Sequence, residues 1–130
     1  FETSNVLTDA DAVFIGANQN SGFADDMEGI GDINGDGNTD IAIGSYLADP
    51  TGNNRGLVIG VLGESYSGRY DVEDVASFML RGQANNNRIG VGMAKAGDHN
   101  EDGYDDVWIG SYGHSSYSGK IFLLEGLLLE

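Results

Sequence analysis

The chain has 130 residues, room for one domain with a buried core, and its formal net charge is −15. Lys and Arg total six, which makes nucleic acid and anionic lipid poor partners, and no apolar run reaches membrane-helix length, so no membrane insertion is expected. Cysteine is absent, which removes disulfides, thiolate catalysis and zinc–thiolate sites.

Glycine is the strongest compositional signal, with 21 residues against a single proline, and it points to many tight turns between short strands. Residues 1–11 read as a lead-in; the start at Phe1, without a charged-then-apolar leader, reads as a trimmed or mature form. Strands then follow in short runs of period two, bounded by Gly, Asn or Ser, at about 12–15, 26–31, 41–45, 57–62, 76–80, 91–97, 107–111 and 120–124. One weak helical candidate is "DVEDVAS", 71–77. The closing residues, with 127–130 as a tail, are set aside as partly a cloning scar.

The chain repeats itself at an offset of 66. "GDINGDGNTD" at 31–40 falls on "GDHNEDGYDD" at 97–106, and "IAIGSY" at 41–46 falls on "VWIGSY" at 107–112. Upstream, Gly16, Asn20 and Met27 fall on Gly82, Asn86 and Met93. The register slips by a few residues only where "GLVIGVLG" meets "GKIFLLEG". Four strands per unit of about 60 residues suit propeller blades, so the expected fold is all-β, two four-stranded antiparallel blades spanning 12–70 and 71–126.

Eight of the 21 Asp and Glu lie in the two ten-residue stretches, where carboxylates repel unless a cation sits among them. Calcium takes six to eight oxygen ligands, which a short loop supplies by turning alternate residues inward. Positions 1, 3 and 5 are Asp32, Asn34 and Asp36 in one loop and Asp98, Asn100 and Asp102 in the other. Gly37 and Gly103 at position 6 permit the sharp turn, and Asn38 and Tyr104 at position 7 offer backbone carbonyls. An EF-hand would need a Glu at position 12, occupied here by Ile43 and Ile109, and helical flanks. Instead Asp40 and Asp106 close the loop at position 9, directly before a strand. Turn formation alone accounts for Asp, Asn and Gly in one loop, but not for Asp at positions 1, 5 and 9 twice over.

The pattern D-x-N-x-D-G-x-x-D, followed by "IAIGS" or "VWIGS" and later a G-x-[VI] strand, resembles the FG-GAP repeat, with "GFAD" and "IGVG" in the Phe-Gly place and "GSY" in the Gly-Ala-Pro place. Such repeats form the β-propeller of integrin α subunits and of many bacterial surface proteins. The resemblance implies two calcium ions, one held by Asp32, Asn34, Asp36, Asn38 and Asp40 and one by Asp98, Asn100, Asp102, Tyr104 and Asp106. It also implies an extracellular or cell-surface binding or adhesion module for a protein or glycan, with calcium structural. A propeller portion of a carbohydrate-active enzyme and a purely architectural repeat are the alternatives.

No nucleophile elbow, phosphate loop or Cys–His pair occurs, so no enzyme activity is expected. His99 reads as exposed and His114 as a loop residue. Trp108 reads as packing between blades, and the Tyr- and Ser-rich 111–119 as either an adaptable contact surface or an ordinary loop. Closed propellers have four to eight blades. Two blades therefore imply a fragment of a longer protein or self-association, most simply three chains giving six blades. In such a ring, strand 12–15 of one copy would complete the second blade of the next.

Overall fold

The computed structural model describes residues 10–126 except 18, 50 and 52. Among the described residues nine strands run in chain order: β1 Ala12–Ile15, β2 Phe23–Gly31, β3 Asp40–Ser45, β4 Leu57–Val61, β5 Gly68–Asp71, β6 Phe78–Arg81, β7 Ile89–Gly97, β8 Asp106–Ser111 and β9 Lys120–Leu124. All eight expected strands are among them, with ends moved by a few residues. The ninth, β5, has the sequence Gly-Arg-Tyr-Asp and lacks an apolar alternation, because only Tyr70 of the four turns inward. The expected helix at 71–77 is a single 3-10 turn, Val72–Asp74. Val72 is buried and Val75 packs against the same core, so the segment follows that surface for one turn and stops.

Strands β2-β3-β4-β6 form a four-stranded antiparallel sheet and β7-β8-β9 a three-stranded one, while β1 pairs in parallel with β5. The expectation of two four-stranded blades is thus met in the first sheet and not in the second. The repeat offset maps β2, β3 and β4 onto β7, β8 and β9 but carries β6 past the end of the chain. Strand β1, which the sequence reading assigns to the second blade of a neighbouring copy, is paired on its own chain with β5, with Phe14 stacked on Tyr70 and edge-on to Tyr66.

Alternation along the strands decides which faces meet. In the first sheet Ala42 and Val58 point toward the second sheet, which answers with Val107 and Ile109; Ile30, Ile33 and Ile89 complete this core. The opposite face of the first sheet carries Ile43, Leu57, Ile59 and Val61, covered by Phe14, Tyr66, Val72 and Val75. The opposite face of the second sheet has no such cover: Trp108 is 39% and Ile121 71% exposed. Packing of Trp108 between blades thus calls for a third sheet, since Trp108 does not lie between these two. Its repeat equivalent, Ala42, is the residue that does, and Ala42 is fully buried. The sheets are tied at one margin by the 53–56 segment, where Asn86, Arg88 and Ile89 donate backbone N–H groups to the carbonyls of Asn53, Asn54 and Arg55.

Candidate metal centre

Both Asp-rich loops connect the first two strands of a repeat, and the same hydrogen-bond frame builds them. In the first, the Asp32 carboxylate accepts backbone N–H groups of Gly35 (2.7 Å), Asp36 (3.0 Å) and Gly37 (2.8 Å). Asn34 Oδ1 accepts from Asp36 N (3.1 Å), and Asp36 Oδ1 from Asn38 N (2.8 Å). In the second, Asp98 accepts from Asp102 N and Gly103 N (2.9 Å each), Asn100 Oδ1 from Asp102 N (3.2 Å) and Asp102 Oδ1 from Tyr104 N (3.0 Å). Negative side chains at positions 1 and 5 thus wrap the backbone around themselves, which composition alone does not require of a turn. The N–H of Asn38 and the Asn34 side chain hold the Asp36 carboxyl below its ordinary range, the Asn34 contact being the larger cause.

The ninth position has a different job. Asp40 and Asp106 are fully buried. Asp40 Oδ2 accepts from Ile33 N (2.8 Å) and Oδ1 from Gly63 N (2.7 Å), tying the front of the loop to the end of β4. Asp106 repeats this with His99 N (2.8 Å) and Gly126 N (3.0 Å). Burial raises the Asp40 pKa, and the two N–H groups oppose it.

The donor set in each loop consists of carboxylates, one side-chain amide oxygen and one backbone carbonyl, all hard oxygens, and this chemistry fits a calcium-like cation. Positions 35–39 and 98–103 are exposed. Among the described residues, no three or more His, Cys, Asp or Glu side chains are gathered into a metal-holding group. The carboxylates are turned instead to the loop amides: Asp32 Oδ1 accepts two N–H groups, while Asp32 Oδ2 and both Asp98 oxygens accept one each and keep a lone pair.

The surroundings of the loops differ. The first is gripped by the second repeat: Asp105 N donates to Asp32 O (2.8 Å), and Asp32 N donates to Asp105 Oδ2 (2.8 Å). Lys95 Nζ lies 2.8 Å from the same Oδ2. Lys95 is the larger cause, ahead of the Asp32 N–H, of the lowered Asp105 pKa. Gly31, with φ +87°, has no room for a Cβ, which would stand 2.2 Å from the Asp105 carboxylate; its equivalent Gly97, φ +72°, has open space. The Tyr104 ring lies over Gly35, where a Cβ would be 2.8 Å from it. At the matching place in the second loop stands Glu101, also with positive φ. Neither Asp105 nor Lys95 figures in the sequence reading of the site. Their signal is departure from the repeat, since their equivalents are Thr39 and Gly29.

Other candidate residues lie apart from the loops. His114 sits in a turn at 114–117, while Arg88 donates to the Tyr112 hydroxyl and lies over its ring. His99 is exposed, its ring 6.3 Å from that of Trp108. A cavity of about 220 Å³ between the sheets is lined by Leu80, Ile89, Phe122 and Leu124 and is largely apolar.

A pair of antiparallel sheets, each with such a loop between its first two strands, defines a class, and residues 29–69 match the family model of the FG-GAP repeat. The chain carries an FG-GAP repeat at these residues. It is also 31% identical over 97 residues to integrin alpha-5 of Xenopus laevis, an alignment covering 73% of this chain and 9% of that protein. The chain thus spans under a tenth of the length of this relative. No helix among the described residues is long and apolar enough to cross a membrane.

Proposed function

We propose that the chain is a calcium-binding β-propeller repeat module of an extracellular or cell-surface protein, serving binding or adhesion to a protein or glycan, with calcium in a structural role. The observation that carries this reading is the residue-by-residue coincidence of the two loop frames at one offset. Asp32, Asn34, Asp36 and Asp40, with the Asn38 carbonyl, would hold one ion, and Asp98, Asn100, Asp102 and Asp106, with the Tyr104 carbonyl, the other. Bound calcium would neutralise the clustered carboxylates; extracellular concentrations near ~1 mM fill even weak sites. The likeness to an integrin α chain supports the adhesion setting.

Calorimetry on chelator-stripped protein should give two ions per chain, and EDTA should lower the melting temperature of the loaded form. Asp102→Ala should abolish one site while Glu101→Ala, at position 4, leaves both. Equal effects would mean that overall acidity, not loop geometry, is what binds. Unchanged melting with EDTA and no binding heat would end the calcium reading.

The open face of the second sheet, with Trp108 and Ile121 exposed, is the repeat equivalent of the face that the first sheet buries. It supports cover by another such unit, from a second copy of the chain or from a longer protein. Three chains stacked head to tail would make six blades and a heterologous interface that closes. Light scattering at micromolar concentration should give a trimer mass; a monomer would favour the longer protein.

A further inference from the structure

Tyr104 and Asp105 belong to both loops at once. The Tyr104 carbonyl is the position-7 oxygen of the second loop, and its N–H is bonded to Asp102 Oδ1 at 3.0 Å, yet its ring covers Gly35 of the first. One residue on, Asp105 holds the Asp32 backbone from both sides, N–H and C=O, at 2.8 Å each. Asp32 is in turn the residue whose carboxylate collects three backbone N–H groups of the first loop. We infer that the two ion sites are energetically coupled through Tyr104 and Asp105, so that filling the second loop tightens the first. Asp105 is the positioning residue, acting on the first site from the second repeat. The inference rests on the calcium reading above.

The physical basis is shared ordering. A cation among Asp98, Asn100 and Asp102 fixes the 102–104 backbone, and with it the ring on Gly35 and the carboxylate on Asp32. The first loop then has less freedom left to lose when its own ion binds. Linkage makes the effect reciprocal: calcium in the first loop tightens the second by the same factor. Lys95 holds the Asp105 carboxylate in place, so the grip does not depend on a freely rotating side chain. Thr39, the equivalent of Asp105, makes no corresponding bond to the second loop among the described residues. The coupling therefore runs through Tyr104 and Asp105, from the second repeat to the first.

Calcium titrations of the parent and a set of variants test this. Asp36→Ala reports the second loop alone and Asp102→Ala the first loop alone. The product of the two binding constants of the parent, divided by the product of these single-loop constants, is the coupling factor. We expect a factor of about 5 to 20, within the usual range of coupling between sites. In Asp105→Ala, two ions should still bind but the factor, measured with the same loop variants in that background, should fall well below that of the parent, the Asp105 N–H bond and the Tyr104 ring carrying what remains. Asp105→Asn keeps an acceptor for the Asp32 N–H and should retain most of it. Two ions binding to the parent with a factor of one would overturn the coupling while leaving the calcium reading intact. No calcium binding by the parent would overturn that reading and the coupling with it. An undiminished factor in Asp105→Ala would remove Asp105 from the role. Circular dichroism without calcium shows whether each variant folds. Should Asp105→Ala fail to fold, Lys95→Met makes the same comparison, and there an unreduced factor would count against the grip.

Discussion

Asp40 and Asp106 stand at the same point of two loops, fully buried, each accepting one N–H from its own loop and one from the end of the strand two places on. One turn of chain earlier the likeness ends. Asp32 is gripped by Asp105 and roofed by Tyr104, whereas Asp98 faces solvent with Glu101 where Gly35 would be. The inner frame is written within each repeat and so is copied with it. The outer cover comes from a neighbouring repeat, so it depends on which residues that neighbour presents and is not copied. A head-to-tail neighbour made from a second chain would bring Asn38 and Thr39, not Tyr104 and Asp105, to the second loop.

The largest effects should come from the shared frame. Asp40→Ala and Asp106→Ala each strand two backbone N–H groups, at about 1–3 kcal/mol per unsatisfied group. Each should cost about 3 kcal/mol in urea unfolding, and a loss below about 1 kcal/mol at either would show that the two loops are not framed alike. The cover comes next. Gly31→Ala places a Cβ against the Asp105 carboxylate and should cost about 3 kcal/mol, while Gly97→Ala bears backbone strain alone, about 1 kcal/mol. Equal costs would mean that the grip contributes nothing to the first repeat.

Lys95→Met should cost only about 0.5 kcal/mol, because the pair is partly exposed. The Asp105 pKa is lowered in the fold, so this contribution is present above the unfolded carboxyl value of about 3.9 and is lost as pH falls through the folded value. Parent and variant should converge in stability under acid; a gap that persists would point to packing of the lysine stem. The smallest effect lies outside the loops. Burial, and then Glu64, push the Tyr66 hydroxyl up to about 12. Its neutral form is favoured in the fold, so stability is intact below about pH 10 and falls as pH rises toward 12. Ultraviolet titration should show one late tyrosine that Tyr66→Phe removes.

Much of this was legible in the residues. Eight strands announced themselves by period two, and the loops by Asp at positions 1, 5 and 9. Strand β5 was not legible, because Gly-Arg-Tyr-Asp earns its place through one ring packed on Phe14, a contact with a partner far away in sequence. Asp105 and Lys95 escaped because a repeat reveals what its copies share, and these residues matter where the copies differ. Among the described residues the second sheet has three strands, the three that the offset maps from β2, β3 and β4.

The parallel pairing of β1 with β5 sets an order of events. Ala12–Ile15 leaves a ribosome more than fifty residues ahead of its partner Gly68–Asp71. During that interval the first Asp-rich loop can close on its own ten residues, since its bonds from position 1 to positions 4–6 are local. The apolar face of the first sheet must wait for both ends of its cover, and the grip on Asp32 waits longer still. Nascent chains halted before residue 68 would thus present Ile43 and Ile59 uncovered to whatever attends the exit tunnel, while the first loop is already shaped.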